Sequence, residues 1–190
     1  QKLTEGFVCS NLSDNFEGLS FKKIPISFVE ENSVKISIKA ASLNFPDLLM
    51  TQGKYQNKPN LPFALGMEGA GIVSEVGSSS CSFKEGDEVM FGSWGHGAIA
   101  KEIVLPESML SQKPKSYSFE EAAAFKTVYL TAFVGLIRRG NLVEGENLLV
   151  HGATGGVGMA AVELGKLYGA RVIATGTSNE KLEIVKSWGA

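Results

Sequence analysis

Cysteine, histidine and long apolar runs are scarce in this chain of 190 residues. Cys9 and Cys81 stand alone, with no C-x-x-C pair and no histidine at metal-binding spacing. That excludes a disulfide scaffold and a zinc knuckle, and it favours a reduced, cytoplasmic setting. His96 and His151 lie far apart with no matching Ser-Asp or Cys-Asn spacing, so they do not support a hydrolase triad. No apolar run reaches the roughly 18 residues of a membrane helix, and no basic segment followed by an apolar one opens the chain. Neither sign of charge dominates, with 18 Lys and Arg against 20 Asp and Glu. Basic residues gather only as the pairs Lys22-Lys23 and Arg138-Arg139, so neither nucleic acid nor an acidic membrane surface is expected as a partner. The remaining composition, 44% hydrophobic and 20% charged, is that of a soluble globular chain long enough to bury a core.

Glycine is not scarce, and its arrangement is the most informative feature present. His151-Gly-Ala-Thr-Gly-Gly-Val-Gly158 follows the apolar run Asn147-Leu-Leu-Val150 and precedes a helical pattern and then Arg171-Val-Ile-Ala-Thr175. Strand, glycine turn, helix, strand is the phosphate-gripping half of a dinucleotide-binding unit. Gly155 and Gly156, lacking Cβ, are expected to let the backbone turn sharply and approach a diphosphate, and Gly158 to let the helix pack close. Ala153 stands where the usual fingerprint has its first glycine. Ala153, Thr154, Gly155, Gly156, Val157 and Gly158 are therefore the candidate diphosphate cradle, placed where helix N–H groups and the macrodipole favour an anion.

The second strand distinguishes between dinucleotides. An NAD site places Asp or Glu about 20 residues past the turn, to hold the adenine ribose. Here the window reads Ala174-Thr-Gly-Thr-Ser-Asn-Glu-Lys181, with no acid at the strand end. Gly176, Thr177 and Ser178 leave room, and Lys181 supplies a cation for a 2′-phosphate. Glu180 falls a turn into the next helix. The expected cofactor is NADPH.

Upstream, short alternating segments bounded by turn residues run from about residue 2 to 117, the pattern of an antiparallel β domain. Val34-Lys-Ile-Ser-Ile-Lys-Ala40 is the clearest, and 68–76, 87–91 and 98–105 are further strand candidates. Gly66-Met-Glu-Gly-Ala-Gly71 and Val76-Gly-Ser-Ser-Ser80 mark bends or turns. Ser118-Phe-Glu-Glu121 is a capping box that opens a helical stretch, interrupted near Lys126 and stopping at Gly140. Boundaries of 1–125 for the β domain and 126–190 for the dinucleotide domain follow.

Ala40-Ala-Ser-Leu-Asn-Phe-Pro-Asp-Leu-Leu49, Gln52-Gly-Lys-Tyr55, Pro62, Gly66-Met-Glu-Gly-Ala-Gly-Ile-Val73, Gly86-Asp-Glu-Val89 and Gly155-Gly-Val-Gly158 occur in this order. Together they resemble the medium-chain dehydrogenase/reductase superfamily, in its zinc-free quinone oxidoreductase (zeta-crystallin-like) branch, over about residues 5 to 190. The resemblance implies a GroES-like β domain followed by the start of a Rossmann doubly wound parallel sheet, with nicotinamide between the two domains. It also implies a homodimer for the complete protein. Zinc-dependent members carry a cysteine and a Gly-His-Glu histidine where this chain has Asn44 and Met67, and neither replaces a thiolate or an imidazole as a zinc ligand. No metal is expected.

Asn44, Asp47, Tyr55 and Thr127 are the candidate catalytic residues. By resemblance Asn44, Asp47 and Thr127 lie near the nicotinamide, whereas Tyr55 could donate to a substrate oxygen. The duller readings are a helix cap at Asn44, loop packing for Tyr55 and an ordinary helix residue at Thr127. Glu68 reads as a structural, hydrogen-bonded carboxylate, His151 as packing beside the turn, and His96 as a turn residue. The expected function is NADPH-dependent hydride delivery to a quinone or α,β-unsaturated carbonyl, acceptors electron-poor enough to need no Lewis acid. An enoyl-thioester reductase is the enzymatic alternative, and a cofactor-binding interaction protein without turnover the non-enzymatic one. The chain starts at Gln1 and supplies two of the six strands of the usual sheet. It is accordingly expected to be a piece of a longer protein, weak in NADPH binding and prone to associate through open edges.

Overall fold

The computed structural model describes residues 2–77, 82–93 and 97–190. The chain forms two compact units, Gln1–Lys126 and Thr127–Ala190.

The first unit is an antiparallel β domain. Strands β1 (Leu3–Cys9), β2 (Leu19–Pro25), β3 (Ser33–Ser42), β4 (Phe63–Ala64), β5 (Glu68–Val76), β6 (Glu88–Gly92), β7 (Glu102–Pro106) and β8 (Leu110–Gln112) are joined by helices α1 (Phe45–Thr51) and α2 (Phe119–Ala123). They make a sheet ordered β2-β1-β4 and another ordered β7-β3-β5-β6-β8. Alternation fixes which way β3 faces: Val34 and Ile36 turn inward to join Val73, Val89, Phe91, Ile103 and Leu105 in the core, while Lys35 faces outward and bonds Glu75 directly across the ladder at 2.5 Å.

The pairing of β3 with β5 shifts register between Ile38 and Ala40. Beyond the shift Ala40 lies opposite Ala70, and Ser42 opposite Glu68. Two alanines leave room for Ala122 and Ala123 of α2 to pack there. Two residues further along both strands, the same face becomes polar at Ser42 and Glu68. α2 opens as its sequence requires, with the Ser118 hydroxyl accepting from Glu121 N and the Glu121 carboxylate from Ser118 N.

The expected strand at 98–105 begins only at Glu102. The earlier backbone is spent elsewhere: Ala98 N donates to Gly66 O, Ile99 N to Leu65 O and Lys101 N to Glu5 O, stitching this segment to β1 and to the turn after β4. β1, β2, β4 and β8 were not singled out from the sequence. His96, Cys81 and Ser78-Ser79-Ser80 lie outside the described residues.

In the second unit α3 (Lys126–Phe133) runs into a wide π-type turn at Val134–Arg139, closed by Gly140 N on Gly135 O. The chain then forms β9 (Asn147–Val150), α4 (Gly156–Leu167), β10 (Arg171–Ala174) and α5 (Asn179–Trp188). β9 and β10 pair in parallel, as a strand-helix-strand crossover requires. Val150, Val172, Ala160, Ala161, Val162 and Val185 form the core of this unit. Tyr129 of α3 hydrogen-bonds Glu163 of α4.

Candidate functional site

The glycine turn leaves β9 at its carboxyl end and enters α4. The residue that reverses the chain is Gly152, with φ at +63°, a left-handed backbone that glycine adopts without strain. This corrects the sequence expectation, which gave the sharp turn to Gly155 and Gly156. Gly155 is the N-cap of α4 with φ −90° and ψ 168°, and Gly156 begins the helix. Gly158 has the close-packing role anticipated for it. A Cβ there would lie 2.4 Å from Gly152 O and 2.7 Å from Ala153 Cα, so only a hydrogen fits. Ala153 is fully buried and anchors the turn to β10 through its N–H on Thr175 O.

The outer side of the turn is open. A Cβ built on Gly155 would meet only Gly152 O, at 3.6 Å, and Gly155 has no side chain with which to cap the first N–H groups of α4. Gly156, Val157 and the turn therefore present main-chain donors and a helix N-terminus to an anion, the donor set a dinucleotide diphosphate requires.

At the end of β10, Thr175 N donates to Val150 O, and Gly176 and Thr177 are exposed. Room at Gly176 is bounded, since a Cβ would press on Thr154 Cγ2 at 3.1 Å and Leu182 Cδ2 at 3.3 Å. Ser178 is the N-cap of α5, its hydroxyl accepting from Lys181 N at 3.4 Å. Lys181 is exposed in the first turn of α5, next to Glu180. His151 is not packed beside the turn as expected. It is exposed, and its Nδ1 lies 2.8 Å from Thr175 Oγ1, joining the carboxyl ends of the two strands. Thr127 is half-buried on α3, and its carbonyl accepts from the Thr131 hydroxyl.

The other candidates belong to the first unit, around the start of α1. Asn44 is the N-cap residue, and Asp47, three residues on, returns its carboxylate to Asn44 N at 2.9 Å. The second Asp47 oxygen accepts from Gly66 N at 3.1 Å. Asp47 is 2% exposed, so it ties α1 to the turn before β5 and offers no exposed oxygen for chemistry. Burial pushes its carboxyl above the usual range, the two backbone donors pull the other way, and the Glu68 charge adds to the rise.

Asn44 does more than cap. Its Nδ2 donates to Ser42 Oγ at 3.1 Å and to Glu68 Oε1 at 2.9 Å, while the Ser42 hydroxyl donates to the same Glu68 oxygen at 2.6 Å. Glu68 is 1% exposed. Lys126 is drawn electrostatically to Glu68, although burial lowers its pKa, and its Nζ donates to Met109 O. Tyr55 is half-buried against Cys9, Met50, Phe63, Leu65 and Met67, so it packs the loop. Met67, at the position of a zinc ligand in the resembling enzymes, lies in that apolar cluster. Among the described residues no three of His, Cys, Asp and Glu gather as a metal site, and no helix is long and apolar enough to cross a membrane.

Ser42, Lys126, Gly152 and Thr175 were missed in the sequence. Ser42 and Glu68 become partners only through the register of β3 on β5, which the shift after Ile38 conceals. Gly152 carried a signal, being a glycine directly after a strand, but the fingerprint drew attention further along.

An antiparallel β unit is followed by a parallel strand-helix-strand unit with a glycine turn. Residues 30–115 match the alcohol dehydrogenase GroES-like domain. The chain is 42% identical over 160 residues to the quinone oxidoreductase-like protein 2 homolog of Nematostella vectensis, covering 84% of this chain and 44% of that protein. Its fold matches the crystal structure of a Pseudomonas syringae pv. Tomato DC3000 quinone oxidoreductase with a TM-score of 0.89 and 36% identity, over 98% of this chain and 57% of that one. The CurK enoyl reductase matches with a TM-score of 0.87 and 29% identity, over 99% and 58%. The chain belongs to the medium-chain dehydrogenase/reductase superfamily, among relatives of the quinone oxidoreductase type. It spans about half the length of the curated relatives it matches.

Proposed function

We propose that the protein of which this chain forms the β domain and the glycine-turn unit is an NADPH-dependent, zinc-free oxidoreductase of quinones or α,β-unsaturated carbonyls. The observation that carries this reading is the open glycine turn at the start of α4, followed by a strand end that lacks an acid and is trailed by Lys181. Gly156 and Val157 would hold the diphosphate through main-chain N–H groups, with Gly155 leaving the approach clear. Thr177, Ser178 and Lys181 would hold the 2′-phosphate. A nicotinamide held there would supply the hydride that, with one proton from solvent, reduces a quinone or enone. Binding energy from the phosphate groups is thereby used for orientation, the main service this chain renders to the reaction.

Lys181→Ala is expected to weaken NADPH by about 1.5–3 kcal/mol, the range for a hydrogen bond to a charged group, and to leave NADH nearly unchanged. A binding titration with both cofactors checks it, and equal losses would contradict the 2′-phosphate assignment. The protein is also expected to carry no stoichiometric zinc and to keep its activity in a chelator, because Asn44 and Met67 are poor ligands for that metal. Elemental analysis of the purified protein decides this point.

The likeness to the CurK enoyl reductase supports a second reading, reduction of an enoyl thioester. Following NADPH oxidation by the full-length protein over quinones, enones and a crotonyl thioester separates the two. Turnover of the thioester alone would select the second reading, and turnover of none of them would reject both.

A further inference from the structure

The strand end that lacks an acid is closed as well as neutral. An NAD-type site places a carboxylate about 20 residues past the glycine turn, and in this chain that place is Gly176. A Cβ built on Gly176 would lie 3.1 Å from Thr154 Cγ2 and 3.3 Å from Leu182 Cδ2, both closer than ordinary van der Waals contact. The two neighbours differ in how far they yield. Leu182 meets the position through the far end of its side chain, which swings away by rotation about its own bonds. Thr154 meets it through a methyl group carried directly on Cβ, and a β-branched side chain has little freedom at χ1. The backbone beneath that methyl group is also held: Ala153 N donates to Thr175 O on one side of Thr154, and Gly155 N to Gly152 O on the other. Leu182 is fixed in the first turn of α5 by its N–H on Ser178 O.

We propose that Thr154 is a specificity-determining residue: its methyl group, with Leu182 opposite, keeps the end of β10 too narrow for the carboxylate that would hold an unphosphorylated adenine ribose. This inference rests on the dinucleotide reading above and adds to it a determinant separate from Lys181. Lys181 attracts a 2′-phosphate by charge, whereas Thr154 acts by volume, against the residue type on which NADH recognition depends. The consequence is an asymmetry. Removing Lys181 weakens NADPH without creating an NADH site, and an acid placed at position 176 gains NADH only where the Thr154 methyl group has been removed. Thr154→Ser deletes Cγ2 and keeps the hydroxyl, so it isolates the methyl group.

Two double-mutant cycles in the full-length protein test this. The first measures packing without any ligand. Gly176→Ala is expected to lower the thermal midpoint by about 2–4 °C more when Thr154 is present than in the Thr154→Ser background. The comparison cancels the backbone effect of replacing a glycine. The second cycle measures NADH affinity by titration. Gly176→Asp is expected to change NADH binding by less than about threefold when Thr154 is present and to tighten it about tenfold in the Thr154→Ser background, the factor for one hydrogen bond to a charged group. Equal effects of Gly176→Ala on the two backgrounds would overturn the closure. A tenfold NADH gain from Gly176→Asp alone, or no gain in either background, would overturn the specificity role. Failure of the wild-type protein to bind NADPH would instead count against the proposed function, while the thermal cycle, which uses no cofactor, still decides the closure.

Discussion

Replacing Gly158 by valine is expected to destabilise the Thr127–Ala190 unit by about 2–3 kcal/mol and to abolish measurable NADPH binding. The reason is steric and local. The first side-chain atom would lie 2.4 Å from Gly152 O and 2.7 Å from Ala153 Cα, and both are backbone atoms of a turn whose neighbour Ala153 is fully buried. Neither moves without carrying the turn away from the start of α4, where the main-chain donors are presented. Gly155→Ala is the informative control. Its Cβ meets only Gly152 O, at an ordinary 3.6 Å, so the fold is expected to persist while the methyl group intrudes on the diphosphate. Thermal unfolding and an NADPH titration of both variants check this. Native binding by Gly158→Val would mean that the turn does not carry the cofactor.

Asp47→Ala is expected to cost the β domain about 2–6 kcal/mol, since it strips the acceptor from two backbone N–H groups, each worth roughly 1–3 kcal/mol when left unpaired and buried. Those donors, on Asn44 and Gly66, hold the start of α1 against the turn before β5. The wild type carries a pH signature of the same group. Burial raises the folded-state pKa of Asp47 above its ordinary value, so the folded chain binds this proton more tightly than the unfolded chain. Stability from this group is therefore fully present below the ordinary carboxylate range and is lost as pH rises through the raised folded value. Denaturant melts of wild type and Asp47→Ala across mildly acidic pH should show the wild type losing relative stability as pH increases. A difference that grows with pH would contradict the assignment.

The elements that could be read from sequence were those whose local pattern and tertiary environment agree. Ser118-Phe-Glu-Glu121 caps a helix because both partners lie within one turn of each other. Val34 and Ile36 alternate with Lys35 because one face of β3 is core and the other is solvent. Asn147–Val150 and Arg171–Ala174 stand out as apolar runs on either side of a glycine turn. Where tertiary structure decides, local pattern failed. Ala98 to Lys101 resemble a strand but spend their backbone on β1 and on the segment around Gly66. The Ser42, Asn44 and Glu68 network depends on a register shift that alternation conceals. Asp47 was a candidate catalytic residue by resemblance to the family, and only its burial and two backbone donors reveal the tie it makes.

The central claim is that this glycine-turn unit recognises a dinucleotide bearing a 2′-phosphate. Titrating the full-length protein with NADPH and with NADH at matched ionic strength tests it most directly. NADPH is expected to bind more tightly by about tenfold or more, the factor that corresponds to one charge-assisted hydrogen bond of roughly 1.5 kcal/mol. Binding of neither cofactor, or equal affinity for both, would contradict the claim.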